Sequence, residues 1–487
     1  MTGRTRREVL AGAAVGVVAL GARQGLAAPL PAFPLDASVT RASLTGGVGP
    51  KTDVWAFGGT VPGPVLRARQ GEEFALRFGN LLPVPSAVHW HGLRIANAMD
   101  GVPGLTQAAV AAGETFDYRF TPPDAGTFWY HPHERSFEQV PRGLTGALIV
   151  EERNPPQADH DLVLLINDWR IDGENALIGG FGARHDQVHA GRLGNHLTVN
   201  GDPRPEYKVM ANDRVRVRII NACSARILNL ALESSQPKLI AVDGQPVGPT
   251  TSYGEALILG PGNRVDLMVD MVGAPGKVIP LVETSGKRQE LALFKFHATE
   301  RRRADPLVAP IALAPNPLSE PGRKDALRVP LVMTGGGKSE TDMSVMMGSG
   351  PVWQFNGKAG MMMAAGGAMA AMGEPLFRAP RGKTVHIRFD NQTAWPHAMH
   401  LHGHHFRLLE RSDGQAPQPF WWDTLLVQPG EAATVGFVAD NPGKWMVHCH
   451  MLDHQASGMD AWFEVGRGVL GLKCASAGQA DLEVAKT

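Results

Sequence analysis

One stretch of this chain occurs three times. Residues 64–80 read PVLRARQGEEFALRFGN, and a gapless shift of 311 brings PLFRAPRGKTVHIRFDN of residues 375–391 onto them. A shift of 141 does the same for PEYKVMANDRVRVRIIN of residues 205–221. Arg77, Arg218 and Arg388 align, as do Asn80, Asn221 and Asn391. Each copy alternates apolar and polar residues before its Asn, the mark of a half-buried strand. A second shared signal is a turn followed by an alternating strand, beginning at Ala112-Gly113, Pro261-Gly262 and Pro429-Gly430. Repetition at this spacing predicts tandem β-rich domains near 36–153, 158–298 and 325–467, joined after the second by an Arg- and Pro-rich linker over 299–324. With 57 Gly and 37 Pro, the chain has the turn residues that many short strands need, so three small β-sandwiches are the economical architecture.

The remaining composition narrows the function. Lys and Arg number 47 against 47 Asp and Glu, which excludes a nucleic-acid binder relying on a basic surface. Three cysteines exclude a disulfide framework. The N-terminus reads as a targeting segment. Arg6-Arg7 precede an apolar stretch to about Ala22, and Gly25-Leu26-Ala27 form a small-residue cleavage site. The twin arginine points to Tat export of a folded protein, so residues 1–27 are expected to be removed on export, leaving the protein periplasmic or otherwise exported. No apolar run is long enough to predict a membrane span.

Chemistry sits where the repeats differ. Past its Asn, the first copy has His89-Trp90-His91-Gly92, and the third has His400-Leu401-His402-Gly403 at the same offset. The second has Leu230-Ala231-Leu232, so the fold does not require histidine there. A later strand repeats the contrast, with His131-Pro132-His133 in the first copy and His448-Cys449-His450 in the third. Residues i and i+2 of a strand face one side, so each pair presents two imidazoles together. Four such pairs at equivalent places imply several metal ions. Parity separates a second site. Cys449 points away from His448 and His450, and His397 lies an odd three residues before His400. With His454 and Met459 they make up two His, one Cys and a weak Met, the blue-copper electron-transfer set.

The motifs HWHG, HPH, HAMHLHG and HCHMLDHQASGM resemble the four copper signatures of the three-domain multicopper oxidases, the laccase and copper-efflux oxidase family. The resemblance covers essentially the whole chain after its leader. It implies an all-β fold of three tandem cupredoxin-like Greek-key sandwiches and four copper ions. His397, Cys449, His454 and Met459 would hold the type 1 copper. His89 and His400 would hold the type 2 copper. His91, His131, His133, His402, His448 and His450 would hold the type 3 pair. The implied reaction takes four single electrons from a reducing substrate at the type 1 site and delivers them to O2 at the trinuclear cluster, giving two waters. Cys449 adjoins His448 and His450, which gives a short covalent route between the sites. Asp100 resembles the family's proton-relay carboxylate, and Asp453 is a second, weaker candidate. A monomer is expected.

Substrate is less constrained. Nine of the 18 methionines lie between Met333 and Met372, including Met361-Met362-Met363, Met369 and Met372. Soft thioethers favour Cu(I), and the family's cuprous oxidases carry a Met-rich insert here. Such a segment serves either as a cuprous-ion site or as a lid over the type 1 copper. The family's cuprous site places an acid and a Met four and two residues before the first histidine of the third motif. Thr393 and Trp395 stand there instead, which favours phenols and aromatic amines over Cu(I). Trp395 and Trp421-Trp422 line an aromatic surface or, as tryptophans more often do, sit in the core. Cys223 and Cys474 are free or paired. His404 and His405 are expected at the rim of the motif, without a role.

Overall fold

The computed structural model describes residues 32–252, 257–339, 351–360, 373–414 and 417–469, with four isolated positions between 340 and 350. The proposed leader, Met361–Met372 and Cys474 fall outside them. Strands take 48% of the chain and helices 4%, so the all-β expectation holds. Six sheets are present, of 4 and 4, 6 and 5, and 6 and 5 strands in chain order. Among the described residues, no helix is long and apolar enough to cross a membrane.

The repeated strand is the centre of each architecture. Phe74–Asn80, Arg214–Asn221 and Lys383–Asn391 each pair in parallel with the first strand of their unit, Phe33–Ala42, His160–Trp169 and Leu327–Gly335. Each pairs antiparallel, on its other side, with the strand that follows the shared glycine turn. The aligned asparagines explain why both signals recur together. Asn80, Asn221 and Asn391 are fully buried. Their Oδ1 accepts from the backbone N–H two residues on, at 3.1, 3.1 and 3.0 Å. Their Nδ2 donates to Val84, Arg226 and Trp395 carbonyls and to a second carbonyl across the turn. Their own carbonyls accept from Gly113, Gly262 and Gly430. A buried amide that satisfies both ends is a strong constraint on the turn it closes. The aligned arginines share no such task. Arg77 forms an exposed pair with Asp117, whereas Arg218 is buried against Asp161 and Asp266.

Packing follows the alternation. The first core draws Leu35, Phe57, Leu76 and Phe78 from one sheet and Leu66, Trp90, Phe128 and Leu148 from the other. In the middle unit Leu228, Leu230 and Leu232 lie in the core. Each such leucine contributes about 1.5–3 kcal/mol by burial, so this strand is stabilised by packing alone. The segment after the Gln289–Arg301 strand is held against the preceding units at two points. Arg303 forks onto Asp159, and Asn316 exchanges hydrogen bonds with the Ala125 backbone at 2.9 and 3.0 Å.

Candidate metal centre

Strand pairing brings the histidines together. His89 stands opposite His131 on adjacent antiparallel strands, and His400 stands opposite His448. The corresponding pair in the middle unit is Leu230 and Glu283. The first and third units meet with these strands face to face. Their eight imidazoles form three compact sets: His89 and His400 with His91; His91, His131 and His450; and His133, His402 and His448. A fourth set, His397, Cys449 and His454, lies on the far side of the Gly443–Cys449 strand. There Cys449 Sγ is 3.5 Å from His397 Nδ1 and 3.8 Å from His454 Nδ1. All these side chains are buried. Met459 is buried in the same core, and its carbonyl accepts from Cys449 N–H at 3.0 Å.

The outer nitrogens reveal how the rings are held. His89 Nδ1 donates to the Asp100 carbonyl at 2.7 Å and His400 Nδ1 to the Asp423 carbonyl at 2.9 Å. His131 and His448 Nδ1 donate to the carbonyls of Pro132 and Cys449. His402 Nδ1 donates to Asp100 Oδ2 at 2.9 Å, and His454 Nε2 donates to the His189 carbonyl at 2.6 Å. His91 is turned the other way, with Nε2 on Asp423 Oδ1 at 3.2 Å. A proton fixed on the outer nitrogen leaves the inner one bare for a metal. Among the described residues, His89 Nε2, His400 Nε2 and His91 Nδ1 are buried with no hydrogen-bond partner. Elsewhere inner nitrogens face each other, His402 Nε2 to His448 Nε2 at 3.1 Å and His397 Nδ1 to His454 Nδ1 at 3.1 Å. Bare lone pairs at that spacing repel unless a cation takes them both.

Burial and mutual repulsion hold the rings neutral. Burial first, then neighbouring imidazoles, push His91, His131, His133, His402, His448 and His450 well below the usual histidine range. Burial lowers His454 to about 4 and raises the Cys449 thiol to about 12. The thiol therefore stays protonated at neutral pH until a cation binds the sulfur and displaces the proton. Soft sulfur with imidazole at one set and imidazole alone at the others is a donor chemistry that suits copper.

Asp100 sits at the seam of the cluster. It follows the short 3-10 turn Asn97–Met99, and its Oδ1 lies 3.4 Å from His89 Nδ1 while Oδ2 takes His402. Gly101 makes this approach feasible. It has φ +81°, and a Cβ there would stand 1.8 Å from the Val88 carbonyl oxygen. Asp453 is buried and accepts from Arg192 N–H at 3.0 Å.

Several neighbouring residues differ from expectation. His404 and His405 are not at a rim. His404 packs among Phe437, Trp445 and Phe463, and His405 Nε2 donates to the Asp243 carbonyl at 3.1 Å. Adjacency to a polar motif implies exposure, but both precede the buried start of the Phe406–Arg411 strand and lie in the interior. Thr393 is buried, with Oγ1 2.9 Å from His397 Nε2, and buried Trp395 donates to the Gly337 carbonyl. Trp421 and Trp422 pack at the core and not on a substrate surface. Cys223 is buried and unpaired among the described residues, and Cys474 lies outside them. Three contributors carried no motif signal: Trp353, whose ring covers His397 and His454 at 5.0 and 4.5 Å; the His189 carbonyl; and the buried ion pair of Arg264 with Asp423.

Fold and donor sets together define a copper-binding redox protein assembled from β-sandwiches. Comparison with known proteins agrees. Three multicopper oxidase family models match residues 38–155, 160–289 and 339–469. Multicopper oxidase MmcO of Mycobacterium tuberculosis is 29% identical over 456 residues, covering 84% of this chain and 83% of that protein. A multi-copper oxidase structure from Pseudomonas thermotolerans superposes with TM-score 0.79 at 33% identity, covering 90% and 99% of the two chains. Lac15, from a marine microbial metagenome, gives TM-score 0.72 at 39% identity, covering 89% and 100%. The chain belongs to the multicopper oxidase family; it is an oxidoreductase, and copper is its cofactor.

Proposed function

We propose that this enzyme couples oxidation of small phenols and aromatic amines to reduction of O2 to two waters. The domain division at 36–153, 158–298 and 325–467, with export of a monomer to the periplasm after loss of residues 1–27, belongs to the same reading. His397, Cys449, His454 and Met459 would hold the type 1 copper, and His89 with His400 the type 2 copper. His91, His131 and His450 would hold one type 3 ion, and His133, His402 and His448 the other. When bound, the four ions supply the redox chemistry, accepting single electrons from a donor and passing four to O2.

The chain's own residues do the rest. Cys449 joins the two regions through its backbone to His448 and His450, so no electron has to leave the covalent chain between them. Trp353 excludes water from His397 and His454. Asp100 orients His402 through Oδ2, and its Oδ1, 3.4 Å from His89 Nδ1, is placed to relay protons toward the oxygen side. Asp100→Asn keeps the shape and loses the proton carrier. It is expected to slow reoxidation of the fully reduced enzyme by roughly 10²-fold or more, with type 1 reduction unchanged. Rapid mixing with O2 measures this, and an unchanged rate at full copper loading would leave Asp100 as an orienting residue alone.

One observation favours phenols. A cavity of about 190 Å³ lies between the middle and third units, lined by Ala190, Leu193, Ile227, Pro396 and Met451 with Arg226 and Ser285 at its polar end. Pro396 precedes His397, Ala190 follows the residue that takes His454 Nε2, and Met451 N–H donates to Cys449 Sγ at 3.4 Å. Pockets for larger ligands run about 300–1,000 Å³, so this one seats a single ring. Oxygen uptake by the copper-loaded enzyme with a phenol and with Cu(I) as donors tests the reading.

The second reading, a cuprous oxidase for copper detoxification, has its own support. Both flanks of residues 361–372 are pinned beside Met459, with Gly360 N–H on the Gly458 carbonyl and the Gly373 carbonyl on Trp462 Nε1, each at 2.9 Å. Deleting 361–372 spares Trp353. On the phenol reading, deletion raises activity on bulky phenols and leaves Cu(I) oxidation a weaker second activity. A collapse in Cu(I) oxidation with phenol oxidation unchanged would reverse that order.

A further inference from the structure

The middle unit has no metal-binding histidine pair, yet its shared turn reaches the cluster. A Cβ on Gly262 would stand 3.0 Å from His91 Cε1 and 3.2 Å from His450 Cγ. Two residues on, Arg264 is fully buried. Its guanidinium forks onto Asp423 of the third unit, Nη1 to Oδ1 at 2.8 Å and Nη2 to Oδ2 at 2.6 Å. Two further donors, Nη1 and Nε, go to the Gly262 and Thr127 carbonyls, the latter in the first unit. One side chain thus ties all three units together at the cluster.

Asp423 passes that constraint to two histidines. Its Oδ1 accepts from His91 Nε2 and from Thr424 Oγ1, and its carbonyl accepts from His400 Nδ1. Asp243 of the middle unit clamps the same segment, accepting from the Asp423 and Thr424 N–H groups at 3.1 and 3.3 Å and from Arg264 N–H at 2.9 Å. His91 and His400 stack at 3.8 Å, so a shift of Asp423 moves both. Gly92 is shaped by this pair. It has φ +86°, and a Cβ there would stand 2.3 Å from Arg264 Nη2 and 2.5 Å from Asp423 Oδ2. The glycine after the first histidine pair is where the middle unit's arginine is seated.

We infer that Arg264 is a positioning residue for the trinuclear cluster, holding His400 of the proposed type 2 site and His91 of the adjoining type 3 site in place through Asp423. The inference rests on the ligand assignment proposed above. Loss of an outer-shell partner typically weakens metal binding by about 10–100-fold, and a lysine keeps the charge but not the two-point fork. Arg264→Lys and Arg264→Met are therefore expected to lose copper from the cluster, type 2 included, while sparing the type 1 site. In the copper-loaded full chain, metal analysis should fall from four ions toward three, and the type 2 EPR signal should fade. Type 1 absorbance and its reduction by a phenol should stay at the wild-type level, with Lys milder than Met. Arg216→Lys is the control, because Arg216 is equally buried and pairs with Asp266 and Glu152 away from the histidines; it should keep four ions. If Arg264→Met fails to fold, the lysine variant decides. Four ions with an unaltered type 2 signal in that variant would overturn the inference. So would equal loss of type 1 and type 2 copper, or the same loss in Arg216→Lys, since either makes Arg264 a general packing element. A wild-type enzyme that binds no type 2 copper would instead count against the ligand assignment itself.

Discussion

Cys449→Ser is expected to remove the intense blue absorption of the copper-loaded enzyme and its oxidase activity together, with the sandwiches still folded. The thiolate supplies the soft, strongly interacting ligand of a blue-copper set, and a serine hydroxyl neither ionises near neutral pH nor matches sulfur in softness. Cys449 lies at the end of its strand with His397 and His454 as neighbours. The substitution therefore disturbs few packing contacts, and burying a hydroxyl there costs about 1–3 kcal/mol. The outer hydrogen bonds of His89, His91, His131, His400, His402 and His448 are untouched, so type 2 and type 3 copper should still bind. Absorption spectroscopy, metal analysis and circular dichroism check the three parts. A blue band of wild-type strength in the variant would sink the assignment of Cys449.

Stripping the metal is expected to have a larger effect on stability than any single substitution. Four cluster histidines come from the first sandwich and four from the third. Each copper therefore ties together segments far apart in the sequence. A site at a free-ligand concentration 1,000-fold above its Kd adds about 4 kcal/mol, so three such ions contribute on the order of 10 kcal/mol to keeping the two sandwiches docked. The copper-free protein also buries neutral imidazoles whose inner nitrogens face one another without a partner. Calorimetry of the loaded enzyme should show one cooperative transition uniting the first and third sandwiches. The stripped enzyme should unfold earlier and in separable steps. Superimposable thermograms would mean that the protein–protein contacts, including Arg264–Asp423, dock the sandwiches unaided.

The fold, and the histidines and cysteine that the structure brings together, are legible in the sequence because both leave periodic traces. The Asn80, Asn221 and Asn391 repeat is visible because one turn geometry demands the same amide three times. Strand parity placed Cys449 and His397 opposite the cluster, where the structure has them. What failed to show is non-periodic. Arg264 and Asp423 are 159 positions apart and belong to different sandwiches, so no local pattern links them. His189 acts through its carbonyl, which carries no residue signature. His404 and His405 sit beside a polar motif, yet His404 is buried among aromatic rings and His405 against the Asp243 carbonyl, which polarity alone does not signal.

Five of the ten histidines direct their outer N–H at main-chain oxygens, those of Asp100, Pro132, His189, Asp423 and Cys449. A point mutation replaces a side chain but leaves the peptide oxygen. Half of the tautomers that make this enzyme able to take up copper are therefore shielded from genetic drift at the acceptor positions, and can be lost only by moving the backbone. Such a scaffold can vary its donor-facing surface widely, trading one reducing substrate for another, while the arrangement that meets oxygen stays as it is.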